Sequence, residues 1–223
     1  MIKYQKYLTW RDCNMQGKYL DLNIKKYLDD LSAKLPAPGG GSAAALTSSI
    51  GISLLEMVAN FTLDKKGYEN RNDEIKEILS TLEDSRKEVS RLIDEDVEVY
   101  TLVSEAYKLP KNTDAEIKYR NEKIQEALKA GMSVPCKIFD ISVDTLTIAN
   151  RLLKIGNKNL LSDVACSASI LRAAIESAKF NIDINLKFII DNDFRNRVNK
   201  KYEASIKIAF SEIDSIVGIY KNL

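Results

Sequence analysis

Hydrophobic residues recur along this chain at intervals of three and four positions, and only short polar stretches interrupt the pattern. This spacing places hydrophobic side chains on one face of an α-helix, whereas no stretch alternates long enough to indicate a β-strand. The pattern predicts about six helices. The first follows Asp21 as its candidate N-cap and ends at Pro36 and Pro38.

Two of the predicted helices are apolar or small on nearly every side. The second helix opens at Ser42 and the fifth begins near Ser162. A helix that is apolar all round belongs in the middle of a bundle. The long third helix, over about 73–109, instead has a single hydrophobic stripe, to which Tyr100 and Tyr107 belong as core residues. Of the two, Tyr107 is the better candidate for facing a cleft near a helix end. Thr113 and Glu116 form a capping box that starts the fourth helix, in which Pro135 predicts a kink.

These elements predict an all-α fold: a single-domain bundle of about six helices with a long central helix. So many apolar faces cannot all be buried within one small bundle, and leftover faces usually meet a second subunit. We therefore expect a homodimer or a higher homo-oligomer with an extensive interface. Residues 1–19 are predicted to be an N-terminal extension, and residues 20–223 the helical domain.

The amino-acid composition limits the possible catalytic mechanisms mainly through the residue type that it lacks. The 223 residues include no histidine, which excludes Ser-His-Asp and Cys-His catalysis, histidine-based zinc sites and imidazole as a proton carrier. Proton transfer must then use carboxylates, Lys, Tyr, Cys, backbone or water. No cluster suggests a metal site, so we expect neither metal nor cofactor.

Charge and cysteine content bear on partners and compartment. With 33 basic and 32 acidic side chains the net charge is +1, so we expect no nucleic-acid or membrane partner. Residues 42–63 could just reach across a bilayer, but their polar side chains favour a buried helix. Three distant cysteines fit the reducing environment of the cytoplasm.

The strongest local signal is the run Gly39, Gly40, Gly41 and Ser42 directly before an apolar helix. Glycines let the backbone approach a ligand, and the helix start offers unpaired N–H groups with partial positive charge. The combination suits a carboxylate, a phosphate or a ring oxygen. A tight inter-helix turn with Ser42 as N-cap is the simpler interpretation, and a single glycine would satisfy it.

Polar residues on the apolar stripes are the next candidates. Asp96 faces inward on the third helix, where it is either a functional carboxylate with a raised pKa or the partner of a Lys or Arg. Asp94 and Glu95 are interpreted as solvated charges. Asp163 either caps the fifth helix or contacts a ligand. Farther along that helix, the pair Asn181 and Asn185 offers donors and acceptors suited to a pteridine-like or amide-bearing ligand.

Several segments together carry a family resemblance. In chain order they read PAPGGGSAAALTSSIGISLLEMVAN, DKKGYE, RLIDEDVEVY, AYKLPK and SDVACSASILRAAIESAKFNIDINLK. This set resembles the cyclodeaminase/cyclohydrolase family, which includes the C-terminal domain of formiminotransferase-cyclodeaminase and stand-alone methenyltetrahydrofolate cyclohydrolases. The resemblance extends from about residue 20 to the C-terminus. Ala165 stands where the family commonly has glycine.

The resemblance implies an all-helical dimer with a folate site near the subunit interface. It implies hydrolysis of 5,10-methenyltetrahydrofolate to 10-formyltetrahydrofolate, or alternatively closure of 5-formiminotetrahydrofolate with release of ammonia. No formiminotransferase domain accompanies this sequence, which favours the first. The folate is substrate and not cofactor. A non-catalytic helical scaffold is the third possibility and would explain the stripes but not the glycine run.

The resemblance also suggests a role for each candidate residue. Asp96 would be the general base beside a cationic substrate, with Asp163 orienting water or the pterin. Lys66 or Tyr68, in the loop after the second helix, would supply the proton to N5. The glycine run with Ser42 would cradle pterin or glutamyl oxygens, while the Asn181–Asn185 pair would bind the pterin edge.

Overall fold

The computed structural model describes residues 18–222, and within this range the chain forms seven α-helices, three short 3-10 turns and no β-strand. The helices are α1 (Ile24–Ser32), α2 (Gly40–Asn60), α3 (Asn72–Lys108), α4 (Asp114–Gly131), α5 (Ser133–Ile155), α6 (Leu161–Phe188) and α7 (Asn192–Lys221). The predicted all-α bundle with one long helix is thus confirmed. The predicted extension over 1–19 lies outside the described residues except for its last two, and a division at residue 19 stays a prediction.

The helix boundaries follow local chemistry closely. The Thr113–Glu116 capping box is present as predicted. The N-cap of α1 is Asn23, whose side chain accepts the backbone N–H of Lys26 at 2.9 Å, so the assignment of Asp21 was wrong. The predicted fourth helix is divided between α4 and α5. Pro135 lies in the first turn of α5, where the missing N–H costs no helical hydrogen bond.

Helix α2 packs against α3, α5 and α6, and it runs antiparallel to α6. Gly40 lies beside Asn181, whereas Gly51 lies beside Leu171. The contact at Gly51 is close, because a Cβ there would lie 2.9 Å from the Leu171 side chain. Ser167 also donates its hydroxyl to the Gly51 carbonyl at 2.7 Å. The small residues of both helices therefore allow their backbones to approach one another.

One side of α2 is nevertheless left uncovered. Ile50 is 45% exposed and Phe61, the C-cap residue, is 62% exposed. Among the described helices α2 alone is long and apolar enough to cross a membrane, and half of its most apolar stretch is buried inside the protein. The prediction that this helix lies in the middle of the bundle is therefore correct for only part of its circumference.

A row of polar contacts joins α2 to the antiparallel α3. The contacts are Ser42 N–H to Asp96 Oδ2 (2.9 Å), Ser49 Oγ to Ser90 Oγ (2.7 Å) and Arg86 Nε to Glu56 Oε2 (2.6 Å). Their three α2 members recur every seven residues, which is close to two helical turns, so they share one face of α2. We call these three contacts the polar ladder.

The far end of α3 departs from the sequence prediction. Tyr100 is 49% exposed and Tyr107 is 44% exposed, so their assignment to the core was wrong. Arg120 of α4 covers the Tyr107 ring at 5.6 Å and donates to the Tyr107 carbonyl. The hydrophobic stripe is real, but in the last turn of α3 the buried residue is Ala106, whereas the Tyr107 ring lies at the surface under Arg120.

Candidate active site

The glycine run forms the N-terminus of α2. Gly39 is the N-cap and has extended backbone angles, and no side chain of its own caps the helix. In place of a local cap, Asp96 from the middle of α3 accepts the Ser42 backbone N–H through Oδ2 at 2.9 Å. A carboxylate at this position is favoured by the free amides and by the positive end of the helix dipole. The glycine run at the start of α2 therefore binds the Asp96 side chain of the same chain.

The three glycines differ in what lies beside them. A Cβ on Gly41 would overlap the Asp96 carboxyl group, with the carboxyl carbon 2.6 Å and Oδ2 2.9 Å away. A Cβ on Gly40 would lie 3.4 Å from Asn181 Nδ2, and one on Gly39 would meet nothing within 4 Å. The absence of a side chain at Gly41 thus leaves room for the Asp96 carboxylate, and its absence at Gly40 leaves room for the Asn181 amide. Gly39 borders open space.

The surroundings of Asp96 leave its charge poorly compensated. Burial raises the pKa of the Asp96 carboxyl, and the hydrogen bond from the Ser42 amide opposes that rise. None of the ion pairs within residues 18–222 includes Asp96, so a Lys or Arg partner, the alternative offered from the sequence, is not found there. A carboxylate of this kind is suited to act as a base or to attract a cationic ligand.

The α1 segment packs against this end of α2. The hydroxyl of Tyr27 lies 3.2 Å from Ser42 Oγ, and both side chains are buried. Asp94 is 9% exposed and accepts the Tyr19 backbone N–H through Oδ1 at 2.7 Å. Its interpretation as a solvated charge was therefore wrong. Tyr27 and Asp94 are the residues here that sequence reasoning did not assign to the site.

The asparagines lie on the same side as Asp96. Asn181 is partly buried, donates Nδ2 to the Ser177 carbonyl at 2.8 Å, and places its amide against Gly40. Asn185 lies one turn farther along α6, also partly buried, and makes no hydrogen bond to the described residues. Its amide is therefore available to a ligand.

The remaining predicted residues lie elsewhere. Lys66 and Tyr68 belong to the α2–α3 loop, and Asp163 lies in the first turn of α6 without capping it. The Tyr68 hydroxyl accepts the Lys158 backbone N–H at 3.1 Å. The buried Asn157 ties the same regions together, because its N–H donates to Thr62 Oγ1 at 2.9 Å.

The predicted site residues therefore form two clusters in one chain. We call Gly39–Ser42, Asp96, Asn181 and Asn185 the glycine-end cluster, and Lys66, Tyr68 and Asp163 the loop-end cluster. They lie at opposite ends of α2, whose 21 residues span roughly 30 Å at 1.5 Å per residue. One copy of the chain does not bring the two clusters together, contrary to the single site that the sequence suggested.

Two surface cavities lie away from both clusters. A cavity of about 650 Å³ lies between α4 and the α6–α7 turn, and one of about 380 Å³ lies between α5 and α7. None of the predicted site residues lines either cavity. Within residues 18–222 there is no group of three or more Cys, Asp or Glu side chains arranged to hold a metal ion.

The chain is similar to known proteins in both sequence and fold. The family described as formiminotransferase-cyclodeaminase matches residues 23–204. A methenyltetrahydrofolate cyclohydrolase from Methylorubrum extorquens is 36% identical over 180 residues, which cover 81% of this chain and 86% of that protein. The formimidoyltransferase-cyclodeaminase of Mus musculus is 27% identical over 207 residues, and the match spans 38% of its length.

A solved structure shares the fold over most of the chain. The crystal structure of formiminotetrahydrofolate cyclodeaminase from Thermotoga maritima superposes with a TM-score of 0.78 and 32% sequence identity. The superposition covers 90% of this chain and 98% of the other. The two chains therefore share the same architecture over the superposed residues.

Proposed function

The chain belongs to the formiminotransferase-cyclodeaminase family, and we propose that it hydrolyses 5,10-methenyltetrahydrofolate to 10-formyltetrahydrofolate. The observation that carries this proposal is the Asp96 carboxylate, held at the glycine turn without a cationic partner among the described residues. The relative named as a cyclohydrolase, matched over 86% of its length, supports the same activity.

The chemistry suits an uncompensated carboxylate. The methenyl bridge is a cationic amidinium, so Asp96 stabilises it by charge and takes a proton from the attacking water. The water oxygen bonds to the methenyl carbon, and the bond from that carbon to N5 breaks as the formyl C=O forms. N5 takes up one proton, and the overall reaction releases one proton to solvent. The asparagines of the glycine-end cluster bind the pterin edge.

Cyclodeamination is the second candidate, because the structural neighbour from Thermotoga maritima is named as a formiminotetrahydrofolate cyclodeaminase. That reaction closes the formimino group onto N10 and expels ammonia. The third possibility, a non-catalytic scaffold, has less support because the relatives are named as enzymes.

Two assays of the purified protein decide among these functions. We expect the methenyl absorbance of 5,10-methenyltetrahydrofolate to decay much faster with the protein than with buffer, after subtraction of the spontaneous reaction. We expect no ammonia from 5-formiminotetrahydrofolate. Ammonia release without methenyl hydrolysis would favour the cyclodeaminase, and a protein inactive in both assays would favour the scaffold.

The subunit arrangement is also a proposal. The exposed hydrophobic side chains include Ile50 on α2 and Phe180, Ile184 and Phe188 on α6. Ile50 lies at the midpoint of α2. A two-fold axis through this point would place the glycine end of one α2 beside the loop end of the other. We therefore propose a homodimer in which each folate site combines both clusters, so that Asp163, Lys66 and Tyr68 come from the partner.

Subunit complementation tests this arrangement. Asp96→Asn and Asp163→Asn are each expected to be inactive as homodimers. A heterodimer, isolated with two different affinity tags, has one site with both natural residues and should recover about half of the wild-type kcat. Asp96→Asn paired with Gly41→Ala is the matched control, because both changes lie at the glycine end and no intact site results.

Two results would contradict the shared site. One is an inactive Asp96→Asn/Asp163→Asn heterodimer that sediments as a dimer, and the other is recovery in the same-end control. A monomer in sedimentation at assay concentration would contradict the dimer itself.

We also propose that the protein works in the cytoplasm, without metal, cofactor, nucleic acid or membrane partner. Free thiols at Cys136 and Cys166 suit a reducing compartment. The near-balanced charge offers no general attraction to nucleic acid or anionic lipid.

A further inference from the structure

Tyr27 is a buried residue that the proposed reaction does not use directly. It is 4% exposed, and its hydroxyl lies 3.2 Å from Ser42 Oγ, which is fully buried. Ser42 is the residue whose backbone N–H donates to Asp96 Oδ2 at 2.9 Å. One residue of α2 therefore contacts both the phenol and the carboxylate, through its side chain and its backbone respectively.

The tyrosine is itself held firmly. Its ring contacts the Tyr19 ring edge-to-face, with centroids 5.2 Å apart. The Tyr19 hydroxyl donates to Asp30 at 3.1 Å, and its backbone N–H donates to Asp94. The segment from residue 19 to residue 30 is thus attached to α3 and fixes the direction of the Tyr27 hydroxyl.

The charges around the phenol keep it neutral. Burial raises the pKa of Tyr27, the hydrogen bond to Ser42 opposes this, and the charges of Asp96 and Asp94 raise the pKa further. On α2, the Ser42 amide and Gly41 contact Asp96, and the neutral Asn181 of α6 lies against the adjacent Gly40. Tyr27 can therefore donate or accept a hydrogen bond but does not serve as an anionic base.

We propose that Tyr27 is a positioning residue for Asp96 and that it acts through Ser42. By holding the Ser42 side chain, it fixes the first turn of α2 so that the Ser42 amide points at the carboxylate. The functional consequence rests on the proposed hydrolysis, in which Asp96 is the base. The positioning itself is a property of the free protein and can be measured without substrate.

Tyr27→Phe keeps the ring and removes only the hydroxyl. We expect kcat to fall about tenfold with KM changed less, because a loosened base affects the chemical step more than binding. The acidic limb of the kcat–pH profile should move to higher pH, since a weaker bond from Ser42 stabilises the ionised carboxylate less. Tyr202→Phe is the matched control. It removes a buried tyrosine hydroxyl on α7, which donates to Asp140 and lies away from Ser42, and both kcat and the pH limb should stay at wild-type values.

Two further measurements make the outcome decisive. Ser42→Ala removes the other half of the hydroxyl pair, so it should shift the limb similarly, and the double variant should not be additive. A carbon-13 NMR titration of the Asp96 carboxyl in the free protein should show the same upward pKa shift in Tyr27→Phe.

The proposal is overturned if folded Tyr27→Phe, verified by its melting curve, leaves the Asp96 titration where the wild type has it. The proposal is also overturned if Tyr27→Phe is active and the acidic limb of its kcat–pH profile stays at the wild-type position. If the wild type instead fails to hydrolyse methenyltetrahydrofolate, the proposed function fails, and the NMR titration still decides whether Tyr27 positions Asp96.

Discussion

Asp96→Asn is expected to lower kcat for methenyltetrahydrofolate hydrolysis by about 10²–10⁴-fold, the usual contribution of a positioned general base. The amide keeps the shape of the side chain, and its oxygen can still accept the Ser42 N–H. It loses the charge that stabilises the substrate cation and the ability to take a proton from water. The loss should therefore fall on kcat, and the acidic limb of the wild-type profile should disappear.

The variant should also remain folded. Because the pKa of Asp96 is raised in the folded state, the folded protein holds this proton to higher pH than the unfolded chain does. The contribution of this group to the free energy of unfolding is therefore lost as the pH rises from its unfolded-state pKa through its folded-state pKa. An asparagine avoids the loss. The melting temperature of Asp96→Asn near neutral pH should equal or exceed that of the wild type.

An exposed aspartate on the same helix provides the control. Asp84→Asn makes the same chemical change on the surface of α3 and should leave kcat unaltered. If folded Asp96→Asn hydrolyses the substrate at the wild-type rate, Asp96 is not the base.

Gly41→Ala should have the second largest effect, a fall in kcat of about 10²-fold, the size that a 1 Å misplacement of a catalytic group can cause. The added methyl group would occupy the space of the Asp96 carboxyl, so the carboxylate must move away from the Ser42 amide. Overpacking of this kind also costs about 1–3 kcal/mol of folding free energy. Steady-state kinetics together with thermal unfolding will separate the two effects.

The neighbouring glycines supply a graded comparison. Gly40→Ala meets only the Asn181 amide at 3.4 Å, and Gly39→Ala meets nothing within 4 Å. The loss of activity should therefore increase from position 39 to position 41. Equal losses at all three positions would mean that backbone freedom, and not space for the carboxylate, explains the glycine run.

Local sequence patterns were enough to predict most helices and to single out Asp96 as a candidate. A period-three-and-four stripe depends only on the geometry of a single helix, so it located α3 correctly, while runs that are apolar or small on nearly every side located α2 and α6. The capping box at Thr113 is equally local. The stripe on α3 also indicated that Asp96 faces inward, and in the structure the Asp96 carboxyl group lies against the glycine run.

Contacts between different segments of the chain could not be predicted from these local patterns. Helical periodicity orients a residue within its own helix and says nothing about what another segment covers. Asp94 therefore read as solvated, although the segment at Tyr19 buries it. Likewise, the antiparallel order of α2 and α6 separates Asp163 from Asp96, and only the assembled fold reveals such a separation.

Because of the polar ladder, the position of the Asp96 carboxylate depends on the register of α3 against α2. A slide of α3 along α2 by one turn, 5.4 Å in an α-helix, would separate Asp96 from the Ser42 amide and break the other two contacts with it. Arg86 lies ten residues from Asp96, roughly 15 Å away at 1.5 Å per residue, and never touches the site. We therefore expect the Arg86–Glu56 contact to help keep the Asp96 carboxylate, the proposed base, in register with the Ser42 amide from a distance.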